Sequence, residues 1–376
     1  MDKYLLLNNF RNHEYVKLDL NTDKNIFVIT GENGVGKTNI LEAISMFSGT
    51  RGLRHSNSED IVNENSDKNF WSVTFSVEDG IFVCGYSGGK RIYKVSDKNV
   101  RNLSAFSKNH HILWMTYETD RLFVDSPSKR RNFIDMFASS KFHDHENNIR
   151  TYEKLARERL KILKQTNCII NESTNKWLSV IENRIVNIGI KIEKARRNIT
   201  NDINNGQDES SDFPRFHSEM SEKLNENEYK NELFSRRQKD FFTNSTTYGP
   251  NRLDFVVTHS QNNIEAGKCS AGEQKILLLG IFLSFIKENT QNSQKDRHLA
   301  EDEEFCKRSI DKKCLILLFD DVIAHLDSVH RVLLFKHIEA LRAYFEQNCM
   351  NIMIWLSGID RKLFEEFNDT ALFIDL

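Results

Sequence analysis

Gly31-Glu32-Asn33-Gly34-Val35-Gly36-Lys37-Thr38 stands between an apolar strand-like run, NIFVIT, and a helix-like one, NILEAISMF. A GxxxxGK[ST] pattern in that setting commits the chain to strand, glycine-rich loop and helix in fixed order, the opening of an α/β nucleotide-binding fold. In such a loop the backbone N–H groups curl round phosphates, the Lys37 ammonium reaches the β- and γ-phosphates, and the Thr38 hydroxyl ligates Mg2+. Gly31, Glu32, Asn33, Gly34, Val35, Gly36, Lys37, Thr38 and the following Asn39 are therefore candidate ATP contacts.

Two later segments belong with this loop. Leu315 to Asp321, LILLFDD, reads as a buried strand ending in acids, which would set Asp320 beside the Mg2+ and Asp321 beside an attacking water. Between loop and strand, Cys269-Ser270-Ala271-Gly272-Glu273-Gln274-Lys275 opens the apolar run ILLLGIFLSF. A Ser/Gly turn at a helix start offers free N–H groups and a positive dipole end, a second anion site in the same chain.

The 376 residues allow two or three compact units, and 39% hydrophobic with 28% charged residues excludes a disordered chain. The formal net charge of −2 decides nothing about nucleic acid, so attraction must come from a local patch. Arg150 to Thr200 is such a patch, with twelve Lys or Arg against five Glu, 12 − 5 = +7. The six cysteines show no zinc or disulfide spacing and read as reduced thiols of a cytoplasmic protein. Ile276 to Ile286, the longest apolar stretch, is too short to span a bilayer.

Texture divides the chain into a strand-rich part, 1–117, an inserted helical lobe, 118–247, and a returning strand-rich part, 248–376, that carries the signature turn and the acidic strand. Amphipathic spacing marks the helices of the middle part. The polar runs Asn201 to Asp212 and Gln291 to Lys313 read as a loop and an insertion.

Phosphate loop, signature turn, acidic strand and Ala324-His325-Leu326-Asp327 occur in the order of the ATP-binding cassette ATPases, which the chain resembles. The resemblance implies an ATP-dependent homodimer in which each signature turn completes its partner's site. It narrows with Leu5-Leu6-Leu7-Asn8-Asn9-Phe10-Arg11-Asn12, Thr38-Asn39-Ile40-Leu41-Glu42-Ala43-Ile44, Asp120-Arg121-Leu122-Phe123, Arg130-Arg131-Asn132-Phe133-Ile134-Asp135, Gly249-Pro250-Asn251-Arg252 and Ser357-Gly358-Ile359-Asp360. These look like the RecF family, whose heads are similar to those of SMC proteins.

The expected fold is thus a P-loop ATP-binding cassette head of the SMC-like kind with an inserted helical lobe. By position the resemblance makes Glu118 the Q-loop residue near Mg2+, Ser270 and Gly272, with Glu273, the trans γ-phosphate contacts, and Asp327 the D-loop acid. Asp321 takes the catalytic-base position, where Glu is usual, and the shorter side chain implies slow hydrolysis. Ala271 and Asn251 also depart from the common pattern.

The resemblance further implies binding to duplex DNA and single-strand/duplex junctions, recombination-mediator partners of the RecO/RecR type, and roles in replication, gap repair and the SOS response. The +7 window is then either a phosphate-contacting surface or a solvated helical face, with Arg130 and Arg131 a second candidate pair. A transporter's ATP-binding subunit shares the core motifs but not the Phe10-Arg11-Asn12 opening or the helical insert. An SMC-type chromosome-organising head would need long heptad arms, which the insert lacks.

Overall fold

The computed structural model describes residues 2–50, 52–207, 213–298, 314–323, 326–348 and 350–376. Alternation in YLLLNNF and HEYVKLD builds a hairpin, β1 (Tyr4–Phe10) and β2 (His13–Asp19), while the continuous apolar run IFVIT makes β3 (Ile26–Thr30), buried at every residue. The glycine-rich loop feeds α1 (Lys37–Ser45). A meander follows: β4 (Phe70–Val77), β5 (Gly80–Ser87), β6 (Lys90–Val95) and β7 (Lys98–Val100), then α2 (Ser104–Asn109) and β8 (His110–Thr116). β2-β1-β4-β5-β6-β7 form one antiparallel sheet. Leu5, Leu7, Trp71, Val73 and Phe75 bury one of its faces, whereas Lys90, Ile92 and Lys94 are exposed.

The helical unit begins with α3 (Pro127–Lys141), α4 (His145–Gln165) and α5 (Glu172–Asn205). β9 (Phe216–Met220), α6 (Glu226–Ser235), α7 (Arg237–Thr243), β10 (Phe255–His259), β11 (Ile264–Glu265) and α8 (Ala271–His298) complete it. Buried charge knits the helices together. Arg159 donates to Glu182 at 2.8 Å and to Asp240 at 2.7 Å, and Arg196 forks onto both Asp135 oxygens at 2.8 Å. His145 Nε2 adds a third contact to Asp135 at 2.7 Å.

Two sequence expectations change here. Residues 201–205 are not loop, since α5 runs through them: Lys141 pairs with Asp202, Ile203 is buried, and the Asn204 amide bonds both backbone groups of Ser218. Tertiary partners override the weak helix propensity of Asn and Asp. Residues 208–212 lie outside the described residues. The run 291–313 likewise starts inside α8, and its part from 299 onward lies outside the described residues.

The last elements are β12 (Cys314–Asp320), α9 (Ser328–Gln347), β13 (Asn351–Gly358) and β14 (Ala371–Asp375). With β3 and β8 they form a parallel sheet ordered β14-β3-β13-β12-β8. By contacts the chain makes two compact units, 1–119 with 302–376, and 120–301. The helical unit therefore ends near 301, not 247. β10 pairs with β9 and α8 packs on α5, so the segment read as returning to the ATPase lobe stays with the helices. Among the described residues no helix is long and apolar enough to cross a membrane.

Candidate functional site

Parallel pairing brings the C-terminal ends of β3, β13, β12 and β8 side by side, with Gly358 opposite Thr30 and Asp320 opposite Thr116. In open α/β sheets this edge is where ligands bind. The glycine-rich loop leaves β3 there. Its shape needs glycine: Gly34 and Gly36 hold φ of 89° and 110°, and a Cβ on Gly36 would lie 2.3 Å from His13 Nε2. Gly36 sits at the N-cap of α1 and supplies no side-chain cap; its carbonyl accepts from the Asn39 and Ile40 N–H groups, and those of Lys37 and Thr38 have no partner among the described residues and stay open to an anion. The buried Lys37 ammonium donates to the carbonyls of Gly31 at 2.7 Å and Glu32 at 2.8 Å, folded back over its own loop.

Lys37, Thr38, Asp320 and Asp321, expected to act together, are brought together. Thr38 Oγ1 donates to Asp320 Oδ1 at 2.9 Å, and Ser357 Oγ donates to the same oxygen at 2.9 Å. Ser357 Oγ in turn accepts from the Asp321 N–H at 2.9 Å. Burial pushes the Asp320 carboxyl up, against the two hydroxyl donors. Asp321 stands at φ 56°, unusual for a residue with a side chain, and its Oδ1 is buried with no hydrogen-bond partner among the described residues. An orphaned carboxylate oxygen beside a hydroxyl–carboxylate pair suits a hydrated divalent cation and a water to be activated.

Sequence reasoning missed the brace around the loop. The Asn12 amide donates to the carbonyls of Val35 at 3.1 Å and Gly34 at 3.3 Å, and His13 Nε2 lies 3.1 Å from the Gly36 carbonyl, which requires the Nε2–H tautomer. Asn39 donates to Asn12 and accepts from Arg54 at 2.7 Å. Arg54 and a bidentate Arg11 converge on Glu42, which is fully buried. Asn39 is thus a strut of the loop. The only sequence signal was the Phe10-Arg11-Asn12 opening, which carried no role of its own.

Glu118 lies on a 3-10 turn, Tyr117–Arg121, directly after β8, and is exposed. Asp327 caps α9: its Oδ1 accepts from the His330 N–H at 2.9 Å and its Oδ2 lies 2.6 Å from His330 Nδ1, contacts that hold its carboxyl below the usual range. Ala324 and His325 lie outside the described residues. In the helical unit, Ser270 and Glu273 form a capping box: Ser270 Oγ and N–H both donate to Glu273, at 2.7 and 2.8 Å. These bonds hold the Glu273 carboxyl down. Ser270 and Gly272 are exposed, and a Cβ on Gly272 would meet nothing within 4 Å.

Residues 3–107 match the family model for the RecF/RecN/SMC N terminal domain. The DNA replication and repair protein RecF of Rickettsia prowazekii strain Madrid E is 30% identical over 387 residues, spanning 99% of this chain and 98% of that protein. The chain belongs to the RecF family. The RecF of Allorhizobium ampelinum is 28% identical across 98% of the chain. Two solved RecF structures from the RecFOR pathway, RecF-ATPrS and RecF-ATP, share the fold with TM-scores of 0.74 and 0.72 at 21% identity, covering 100% and 96% of this chain.

Within this RecF-family chain the basic window is less free than its charge suggests. Arg159 and Arg196 are buried in ion pairs, and Arg150, Lys176 and Arg197 pair with acids four residues away. Lys154, Arg157, Lys161, Lys164, Arg184, Lys191 and Lys194 are exposed. Arg130 and Arg131 are structural instead: Arg130 forks onto Asp254 and Arg131 donates to the Leu253 carbonyl at 2.9 Å. A cluster the sequence reading passed over is the β6–β7 hairpin, where Lys90, Lys94, Lys98 and Arg101 are exposed against Asp97 alone. Its alternating Lys-x-Ile-x-Lys was the available signal.

Proposed function

We propose that the chain is an ATP-driven switch in DNA replication and recombinational repair, acting in the cytoplasm and the SOS response: it binds ATP, dimerises on duplex DNA or single-strand/duplex junctions, and hydrolyses slowly to reset. The observation that carries this reading is the Thr38–Asp320–Ser357–Asp321 chain, which couples the loop to a carboxylate oxygen with no hydrogen-bond partner among the described residues. Gly31 to Asn39 would hold the triphosphate, and Thr38, Asp320 and Glu118 would hold Mg2+. Bound MgATP supplies the phosphoanhydride to be cleaved and the cation that screens it.

Asp321 would take the proton of the attacking water, from a side chain one methylene shorter than Glu, which favours slow turnover. Ser270, Gly272 and Glu273 of the partner copy, with Asp327, would complete the site. Partners of the RecO/RecR type would read the closed form. Phosphate contacts would come from the exposed cations of α4–α5 and the β6–β7 hairpin, without sequence readout.

Sedimentation of the purified protein with and without ATP, each with and without gapped duplex, tests the reading. Dimerisation and DNA association should both require ATP and both vanish in Lys37→Ala. An ATP-binding monomer indifferent to DNA sinks it.

A further inference from the structure

Two carbonyls of the glycine-rich loop, those of Gly34 and Val35, receive the Asn12 amide at 3.3 and 3.1 Å, and a third, that of Gly36, lies 3.1 Å from His13 Nε2. A trans peptide is planar, with its C=O and N–H on opposite sides. Holding the Val35 and Gly36 carbonyls toward Asn12 and His13 therefore turns the N–H groups of Gly36 and Lys37 the other way. Neither N–H has a partner among the described residues, nor has that of Thr38. The brace thus stands behind the loop, and the donors it aims are those that a phosphate would meet.

The Asn12 amide is not free to turn over. Arg54 carries only donors, so Asn39 must give its Oδ1 to Arg54, at 2.7 Å, and its amide to Asn12 Oδ1, at 2.6 Å. Asn12 then has only its own amide left for the loop. Arg54 is itself fixed by Glu42, which is fully buried and which Arg11 also holds, at 2.7 and 3.0 Å. A polarity set by one buried carboxylate thus passes through Arg54, Asn39 and Asn12 to the loop carbonyls. The approach is close enough to need glycine at 36, where a Cβ would lie 2.3 Å from His13 Nε2 and 2.7 Å from Asn12 Oδ1.

We infer that Asn12 and His13 are positioning residues for the nucleotide, holding the loop in its phosphate-binding shape before ATP arrives. The inference rests on the loop being the triphosphate site. A loop already in shape loses little to ordering when its ligand binds, and its donors need no reorganisation. The two residues therefore act on affinity and not on the bond-breaking step. Thr38, Asp320, Ser357 and Asp321 are bonded to one another without the brace.

The test titrates the full-length protein with MgATP, measures single-turnover hydrolysis at saturating ATP, and follows amide hydrogen exchange over residues 31–40 by mass spectrometry without nucleotide. Asn12→Leu and His13→Leu should each weaken ATP binding roughly tenfold, since lost hydrogen bonds and a loosened loop both count against it. Both should speed exchange over the loop, with the rate at saturation little changed. His13→Gln, whose amide reaches where Nε2 stands, should restore affinity. Asn39→Asp keeps an acceptor for Arg54 but offers Asn12 no donor, and should speed loop exchange as Asn12→Leu does; it carries the exchange test if Asn12→Leu loses its helical circular dichroism. A parent that binds no MgATP sinks the functional reading and this inference with it. Where the parent binds, the inference alone is overturned by any of four results: leucine variants that bind as the parent does, affinity lost with loop exchange unchanged, His13→Gln as weak as His13→Leu, or a saturated rate that falls while affinity holds.

Discussion

Ser357 has both ends of its hydroxyl committed, donating to Asp320 Oδ1 and accepting from the Asp321 N–H. Its removal leaves Asp320 with one hydroxyl donor and frees the backbone that aims Asp321, yet touches nothing that cradles phosphate. Ser357→Ala should therefore slow single-turnover hydrolysis roughly ten- to a hundredfold, as loss of a group that orients metal-site residues does, with ATP affinity little changed. Asp321→Asn should keep ATP and collect as closed dimer by sedimentation. Unchanged hydrolysis in the first variant, or an ATP-bound monomer in the second, contradicts these assignments. Lys37, Thr38, Asp320 and Asp321 were legible in the sequence because their spacing is itself the chemistry. Ser357 was legible only as part of the Ser357-Gly358-Ile359-Asp360 resemblance and without a role, because its partners lie across the β12–β13 pairing.

α3, α4 and α5 meet at Asp135. Burial alone would raise this carboxyl, but the Arg196 guanidinium and His145 outweigh it and hold it well below the usual carboxylate range. A depressed acid stabilises the fold at neutral pH, and that contribution drains away as pH falls below the unfolded value of about 4. Asp135→Asn should cost about 3–5 kcal/mol by chemical denaturation at pH 7, since it strands Arg196 in the interior. The gap between variant and parent should shrink steadily in acid; a gap independent of pH would place the cost in packing. Helix existence was readable here from apolar spacing at i, i+3 and i+4. The extension of α5 through Asn205 was not, because it depends on Lys141 and Ser218, distant in sequence and local only in the fold.

For the whole molecule, charge summed to nearly nothing, and only placement distinguishes cations that can meet a phosphate from those spent inside. Reversing Lys90, Lys94 and Lys98 to Glu should weaken duplex binding evenly across sequences and lower the salt slope by about one for each lost contact. Reversing Arg157 and Lys161 applies the same test to the helical unit. A surface whose reversal leaves affinity and slope untouched is a solvated face. The strand that launches the phosphate loop, β3, lies between β13 and β14, both more than three hundred residues further along. A ribosome thus releases the continuous 120–301 unit well before β3 can acquire either neighbour. Until then β3 has two open edges, so the nascent chain carries its glycine-rich motif early, whereas Asp320 and Ser357, which complete the hydrogen-bond chain from Thr38, arrive only with the segments made after the helical unit.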